Sequence, residues 1–242
     1  MNLFDGLYLY EVVLLVLGTI FFLVITSILI YLVLHRRSYK GLTVLFVFPI
    51  VMIGYPSIQS VEYNNGVIKI EKTTAALQRN PSDPALRQEL SQAVGKISTR
   101  PISNPRNLAV VGEAQYALGN EDAANQSAKK ALELDPSSTA ARALQHKIEL
   151  VNSLNRLSST VQANPADPAP RRQLKESLAE VSQLPIANPV ALTTVAQAQS
   201  TVGDHQKALA TVNTALKINP NLTSAVQVKG GIENKIATPL PH

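Results

Sequence analysis

When the chain is laid against itself with an offset of 84 residues, positions 80–149 pair without a gap with positions 164–233, and 25 of the 70 pairs are identical. A duplication of this size restricts the fold to architectures in which one unit stacks on a copy of itself. The identities fall on residues that control backbone direction. Asn80-Pro81 recurs as Asn164-Pro165, Asp83-Pro84 as Asp167-Pro168, Pro101-Ile102 as Pro185-Ile186, Asn104-Pro105 as Asn188-Pro189, Gly119 as Gly203 and Pro136 as Pro220. Proline has no N–H and a fixed φ, so it fits the first turn of a helix and ends the one before; Asn or Asp ahead of it caps the free N–H groups. Reading between these marks predicts helices at 67–79, 84–98, 105–118, 121–134, 137–162, 168–183, 189–202, 205–218 and 221–236, with no alternating run long enough for a strand.

Apolar residues in this region follow helical spacing, as in Leu108, Val111, Ala114 and Leu118, and in Ala124, Ala128, Ala131 and Leu132. Ala-rich stripes let helices approach closely, so each 84-residue unit reads as two stacked helical hairpins of about 42 residues. Residues 105–136 and 189–220 resemble tetratricopeptide repeats. The matching positions are Leu108, Val111, Gly112, Gln115, Gly119, Ala124, Ala128, Ala131 and Pro136 in the first copy. In the second they are Leu192, Val195, Ala196, Gln199, Gly203, Ala208, Val212, Ala215 and Pro220. The small residues and the closing proline agree with the family, whereas its three aromatics are replaced. The resemblance implies an α-solenoid whose concave face, lined by the first helix of each hairpin, holds a protein segment. Carried over position by position, it puts Arg106, Ala109, Glu113 and Tyr116 on that face in the first copy, and Val190, Thr193, Gln197 and Ser200 in the second. Arg106, Glu113, Tyr116 and Gln197 are the candidate partner-binding residues.

The other end of the chain has a different character. Residues 12–34 are interrupted only by Gly18, Thr19, Thr26, Ser27 and Tyr31, and at 1.5 Å per residue reach roughly 35 Å, enough to cross a bilayer core. A second apolar run, 42–58, contains Pro49 and closes near Gly54-Tyr55-Pro56; at roughly 26 Å it reads as a short, kinked second span, with an interfacial or re-entrant segment packed against the first helix as the alternative. Asp5 and Glu11 precede the first run, which argues for a retained anchor over a cleaved signal peptide. Between the runs stand Arg36, Arg37 and Lys40, while the tail ahead of the first has no Lys or Arg. The positive-inside rule then puts this loop in the cytoplasm and both termini outside, in a Gram-negative cell the periplasm. Glu11 reads as an interfacial carboxylate with no need of a partner.

The fold expected is therefore all-α: a transmembrane helical hairpin followed by a duplicated tetratricopeptide-like solenoid. Its parts are an anchor at 1–60, a linker and first solenoid helix at 61–79, repeat units at 80–163 and 164–236, and a tail at 237–242. No Cys and no Trp occur, which excludes disulfide scaffolds and thiolate chemistry. The four His residues lack partners at helical metal-site spacing, and no phosphate loop or nucleophile motif is present. No enzyme activity, metal or cofactor is expected. The net charge of +5 carries no Lys/Arg run, so nucleic acid is not an expected partner. What remains is a membrane-anchored adaptor or assembly factor that binds a protein beside the bilayer, with a permanent accessory subunit of a larger bacterial membrane complex as the alternative.

Overall fold

The computed structural model describes residues 4–35 and 41–237. The loop determinants Arg36, Arg37 and Lys40 lie outside the described residues. Among those described there are eleven helices and no strand. The chain forms two compact units: one holds the residues up to Ile68 together with Gly95–Asn104, the other Lys69–Val94 together with the residues from Pro105 onward.

In the first unit, α1 (Leu9–Leu34) is followed by the single turn α2 (Leu42–Leu45) and by α3 (Val47–Arg79), which ends in the second unit. α1 buries only Glu11, Gly18 and Ile25, a seam with a period of seven residues. Gly18 is needed there because a Cβ would stand 2.9 Å from Met52 Cβ and 3.0 Å from Ile53 Cγ1. Most of its remaining apolar side chains, among them Leu9, Phe21, Ile28 and Leu34, are exposed, while Val12, Leu14, Leu15, Leu29 and Leu32 are half-buried. A helix apolar on all sides and buried along one seam is unlike the core helix of a soluble domain. Two helices, Leu9–Leu34 and the α2–α3 stretch Leu42–Arg79, are long and apolar enough to cross a membrane.

Pro49 follows a break in the second apolar run. The helix is interrupted three residues earlier, at Phe46, so that Pro49 falls in the first turn of α3, where its missing N–H has no intrahelical partner to lose. Pro56 lies inside α3 instead, and beside it the Ser57 hydroxyl donates to the Ile53 carbonyl at 2.7 Å. α3 runs without a break through residues read as the second span, the linker and the first solenoid helix.

The later helices are α4 (Pro84–Ser98), α5 (Pro105–Leu118), α6 (Glu121–Leu134), α7 (Thr139–Ala163), α8 (Pro168–Val181), α9 (Pro189–Val202), α10 (His205–Ile218) and α11 (Thr223–Ala237). Their ends follow the punctuation. Asp83 Oδ1 accepts from the N–H of Ala85 and Leu86, Asp167 Oδ1 from Ala169, and Asn188 Oδ1 from Val190 and Ala191. Gly119 and Gly203, with φ of 97° and 106°, occupy the left-handed position that closes α5 and α9.

In the second unit the hairpins share helices in sequence. Tyr116, Ala124, Ala128, Leu144, Ile148 and Val151 join α5, α6 and α7. Leu150, Leu154, Val161, Leu174, Leu178, Val181, Val195 and Ala198 join α7, α8 and α9. Ala196, Ala208, Val212, Ala215, Ala225 and Ile232 join α9, α10 and α11. The 84-residue offset extends further than the sequence identities do: buried Val67, Ile70, Leu77, Leu90, Val94 and Ile97 stand at the positions of buried Val151, Leu154, Val161, Leu174, Leu178 and Val181. The helices α3 and α4 thus carry the same burial pattern as α7 and α8.

The two copies also show a volume exchange. A Cβ on Gly112 would stand 2.8 Å from Leu144 Cδ2 and 3.1 Å from Ser127 Cβ; the equivalent pair in the second copy is Ala196 and Val228, packed in one cluster. Gly112→Ala is expected to destabilise the solenoid by about 1 kcal/mol through overpacking, and Leu144→Val added to it to recover most of that loss. Thermal unfolding of the two variants checks both effects.

Candidate protein-binding surface

Arg106 and Glu113 lie two turns apart on α5, and Val190 and Gln197 hold the equivalent places on α9. The Arg106 side chain is 74 % exposed and its guanidinium pairs with Glu71 at 3.6 Å. Val190 is an exposed apolar side chain and Gln197 is half-buried. Glu113 is tied down on both sides. Its Oε1 accepts from Gln78 Nε2 at 2.7 Å and from the Lys147 ammonium, whose side chain is 9 % exposed and also reaches the Pro185 carbonyl at 3.5 Å. A polar bridge therefore runs from α3 through α5 and α7 to the loop after α8. Glu113 and Lys147 hold helices together; Arg106 and Val190 are the exposed members of this set, and Gln197 is half-buried.

Tyr116 does not lie on an open face. It is 2 % exposed, packed among Ala124, Leu144, Ile148 and Ala191, and its hydroxyl meets no hydrogen-bond partner among the described residues. Ala109, Thr193 and Ser200 are likewise buried. The reason is that α5 and α9 are inner helices of a stack, covered on more than one side. Burial pushes the Tyr116 phenol up from its ordinary value, with the carboxylates of Glu121 and Glu113 adding to it. The folded chain then keeps this proton where the unfolded chain loses it, so stability falls as pH rises above the ordinary tyrosine value of about 10. Tyr116→Phe is expected to raise stability by up to about 1 kcal/mol, since it removes an unpaired buried hydroxyl, and to delay alkaline unfolding, which a pH titration of the fluorescence or circular dichroism would show.

One residue that sequence reasoning passed over is Arg87, half-buried near the ends of these helices. Its guanidinium donates to the carbonyls of Pro81 at 3.2 Å, Ala117 at 3.2 Å and Ala187 at 2.8 Å, and burial lowers its pKa. Its identity with Arg171 across the duplication was the available signal. Arg171 reaches the Val202 carbonyl, one residue beyond the counterpart of Ala117, at 3.5 Å. Arg171 lines an open groove of about 1080 Å³ together with Ser200, His205, Lys207 and Lys235 among others. Where the first copy buries Tyr116, the second buries the smaller Ser200. Among the described residues no group of three His, Cys, Asp or Glu side chains is arranged to hold a metal ion.

Stacked helical hairpins with small residues at the close contacts and glycine at the turns define a tetratricopeptide-like array. Residues 105–138, which comprise α5, α6 and the turn after them, match the tetratricopeptide repeat family. No curated protein and no solved structure matches the chain. The chain thus contains a tetratricopeptide repeat in an all-helical array, which supports a protein–protein interaction role.

Proposed function

We propose that this protein is a membrane-anchored adaptor or assembly factor that holds a protein partner beside the bilayer, on the periplasmic face of a bacterial inner membrane. The observation that carries the reading is the repeat at 105–138, set in a stack with exposed Arg106 and Val190 and half-buried Gln197. The exposed apolar sides of α1 and the first half of α3 support the anchor, because lipid is the environment that removes such surfaces from water. The basic loop between the spans supports the orientation. The repeat module accounts for binding without chemistry.

Alkaline phosphatase fused after residue 242 is expected to be active in intact cells, and β-galactosidase fused there inactive; the reverse result would put the repeats in the cytoplasm. Purification of the full chain in mild detergent separates the adaptor from a permanent subunit. An adaptor gives a partner in variable, substoichiometric amount that washes away; a constant stoichiometric complex would overturn the adaptor reading in favour of a structural subunit.

A further inference from the structure

Within the first unit, both acidic residues that precede the apolar run are buried and occupied, which the sequence does not disclose. Asp5 Oδ1 accepts from the Ser103 N–H at 2.6 Å, the Ser103 hydroxyl at 2.9 Å and the Asn104 N–H at 2.9 Å, while its Oδ2 accepts from the Tyr63 hydroxyl at 3.0 Å. Glu11 is 0 % exposed; its Oε2 accepts from the Tyr8 N–H at 2.8 Å and pairs with Arg100 at 3.3 Å. Arg100 is shared further: it donates to the Gly6 carbonyl at 2.9 Å and to Gln59 Oε1, and it lies over the Tyr8 ring, 5.5 Å from the centroid. The Gly6 N–H donates to the Pro101 carbonyl and the Tyr8 hydroxyl to the Thr99 carbonyl. Glu11 is thus not the partnerless interfacial carboxylate read from the sequence.

The duplication supplies an internal control. In the second copy Leu184 stands in place of Arg100 and Ala187 in place of Ser103. Leu184 packs on a hydrophobic cluster and Ala187 is buried, so the same turn forms without either polar group. The side chains peculiar to the first copy are the ones that receive the two carboxylates.

We propose that residues 4–11 are a strap built into the fold, and that the turn at residues 99–104 is its receptor, with Arg100 and Ser103 present in the first copy for this purpose. The strap fixes the entry to α1 against residues 59–63 and 99–104. If α1 and α3 span a bilayer, the strap also requires that the amino-terminal segment and residues 99–104 lie on one side of it. The strap itself does not depend on the membrane reading.

Hydrogen exchange of the full chain in detergent tests it. In Asp5→Ala the amides of Ser103, Asn104 and Gly6 are expected to exchange about tenfold faster or more, the loss of charge-assisted bonds worth that factor, while amides of α9 and α10 keep their rates. Asp5→Asn, which retains an acceptor oxygen, is expected to keep much of the protection. Unchanged exchange in Asp5→Ala would overturn the strap. Should Asp5→Ala fail to fold, the second-copy residues Arg100→Leu and Ser103→Ala give the same reading at the Gly6 amide, with α10 amides reporting that the solenoid is intact. Because the chain has no Cys, single cysteines at exposed Phe4 and Thr99 can be labelled with an impermeant maleimide in sealed vesicles. Labelling of both from one side is expected. Labelling from opposite sides would overturn the strap, whereas labelling of both from either side would overturn the membrane reading alone.

Discussion

A Glu113→Gln variant is expected to lose about 3 kcal/mol of stability in the solenoid, because it leaves the Lys147 ammonium buried without its counter-charge. The Lys147 side chain is 9 % exposed and its other oxygen contact is the long one to Pro185, so no water-rich alternative is at hand. The reverse change, Lys147→Met, is expected to cost less, since Glu113 is more open and keeps the Gln78 bond at 2.7 Å. Combining the two should recover most of the loss, the signature of a coupled pair in a double-mutant cycle. The second copy points the same way: the positions equivalent to Glu113 and Lys147 are Gln197 and Gly231, both charges having gone together. Chemical denaturation of the single and double variants measures the coupling; additive losses would show that the bridge is not a unit.

Gly6→Ala is expected to remove the fold of the first unit altogether. Gly6 has φ of 77°, and a Cβ built there falls on Cγ, Cδ1 and Cδ2 of the buried Tyr63 ring. These atoms are the root and flank of the ring and not the tip of a flexible chain. The positive φ adds strain that a residue with a Cβ rarely tolerates. Overpacking of this kind costs about 3 kcal/mol or more, and here it also displaces the segment carrying Asp5. Loss of protection at the Ser103 and Asn104 amides, with the solenoid still melting cooperatively, is the expected result.

The helix boundaries of the solenoid were legible because they are written in local chemistry. The ends of α4, α5, α6, α9 and α10 fall where Asp-Pro, Asn-Pro and the two left-handed glycines put them. The continuity of α3 was not legible, since polar residues such as Gln59, Glu62 and Asn64 end an apolar run without ending a helix. The site was read less well than the fold. A single apolar stripe describes a helix covered on one side, but α5 buries Leu108, Ala109, Val111, Gly112, Ala114, Tyr116 and Ala117, so a residue one step off the stripe, Tyr116, is core and not groove. The pairs Asp5–Ser103 and Glu11–Arg100 join residues 98 and 89 apart and carry no local pattern, so one sequence offered no route to them beyond the asymmetry between the two copies.

The measurement that bears most directly on the function is photo-crosslinking in intact membranes from three positions of the full chain: Arg106 and Gln197 on the candidate surface, and Lys129, an exposed residue of α6, as the control. The expected result is one discrete protein adduct, of the same mass, from Arg106 and Gln197 and none from Lys129. Adducts of equal yield from all three positions, or none from Arg106 and Gln197 in membranes where the chain is folded, would contradict binding of a protein partner by this surface of the repeats.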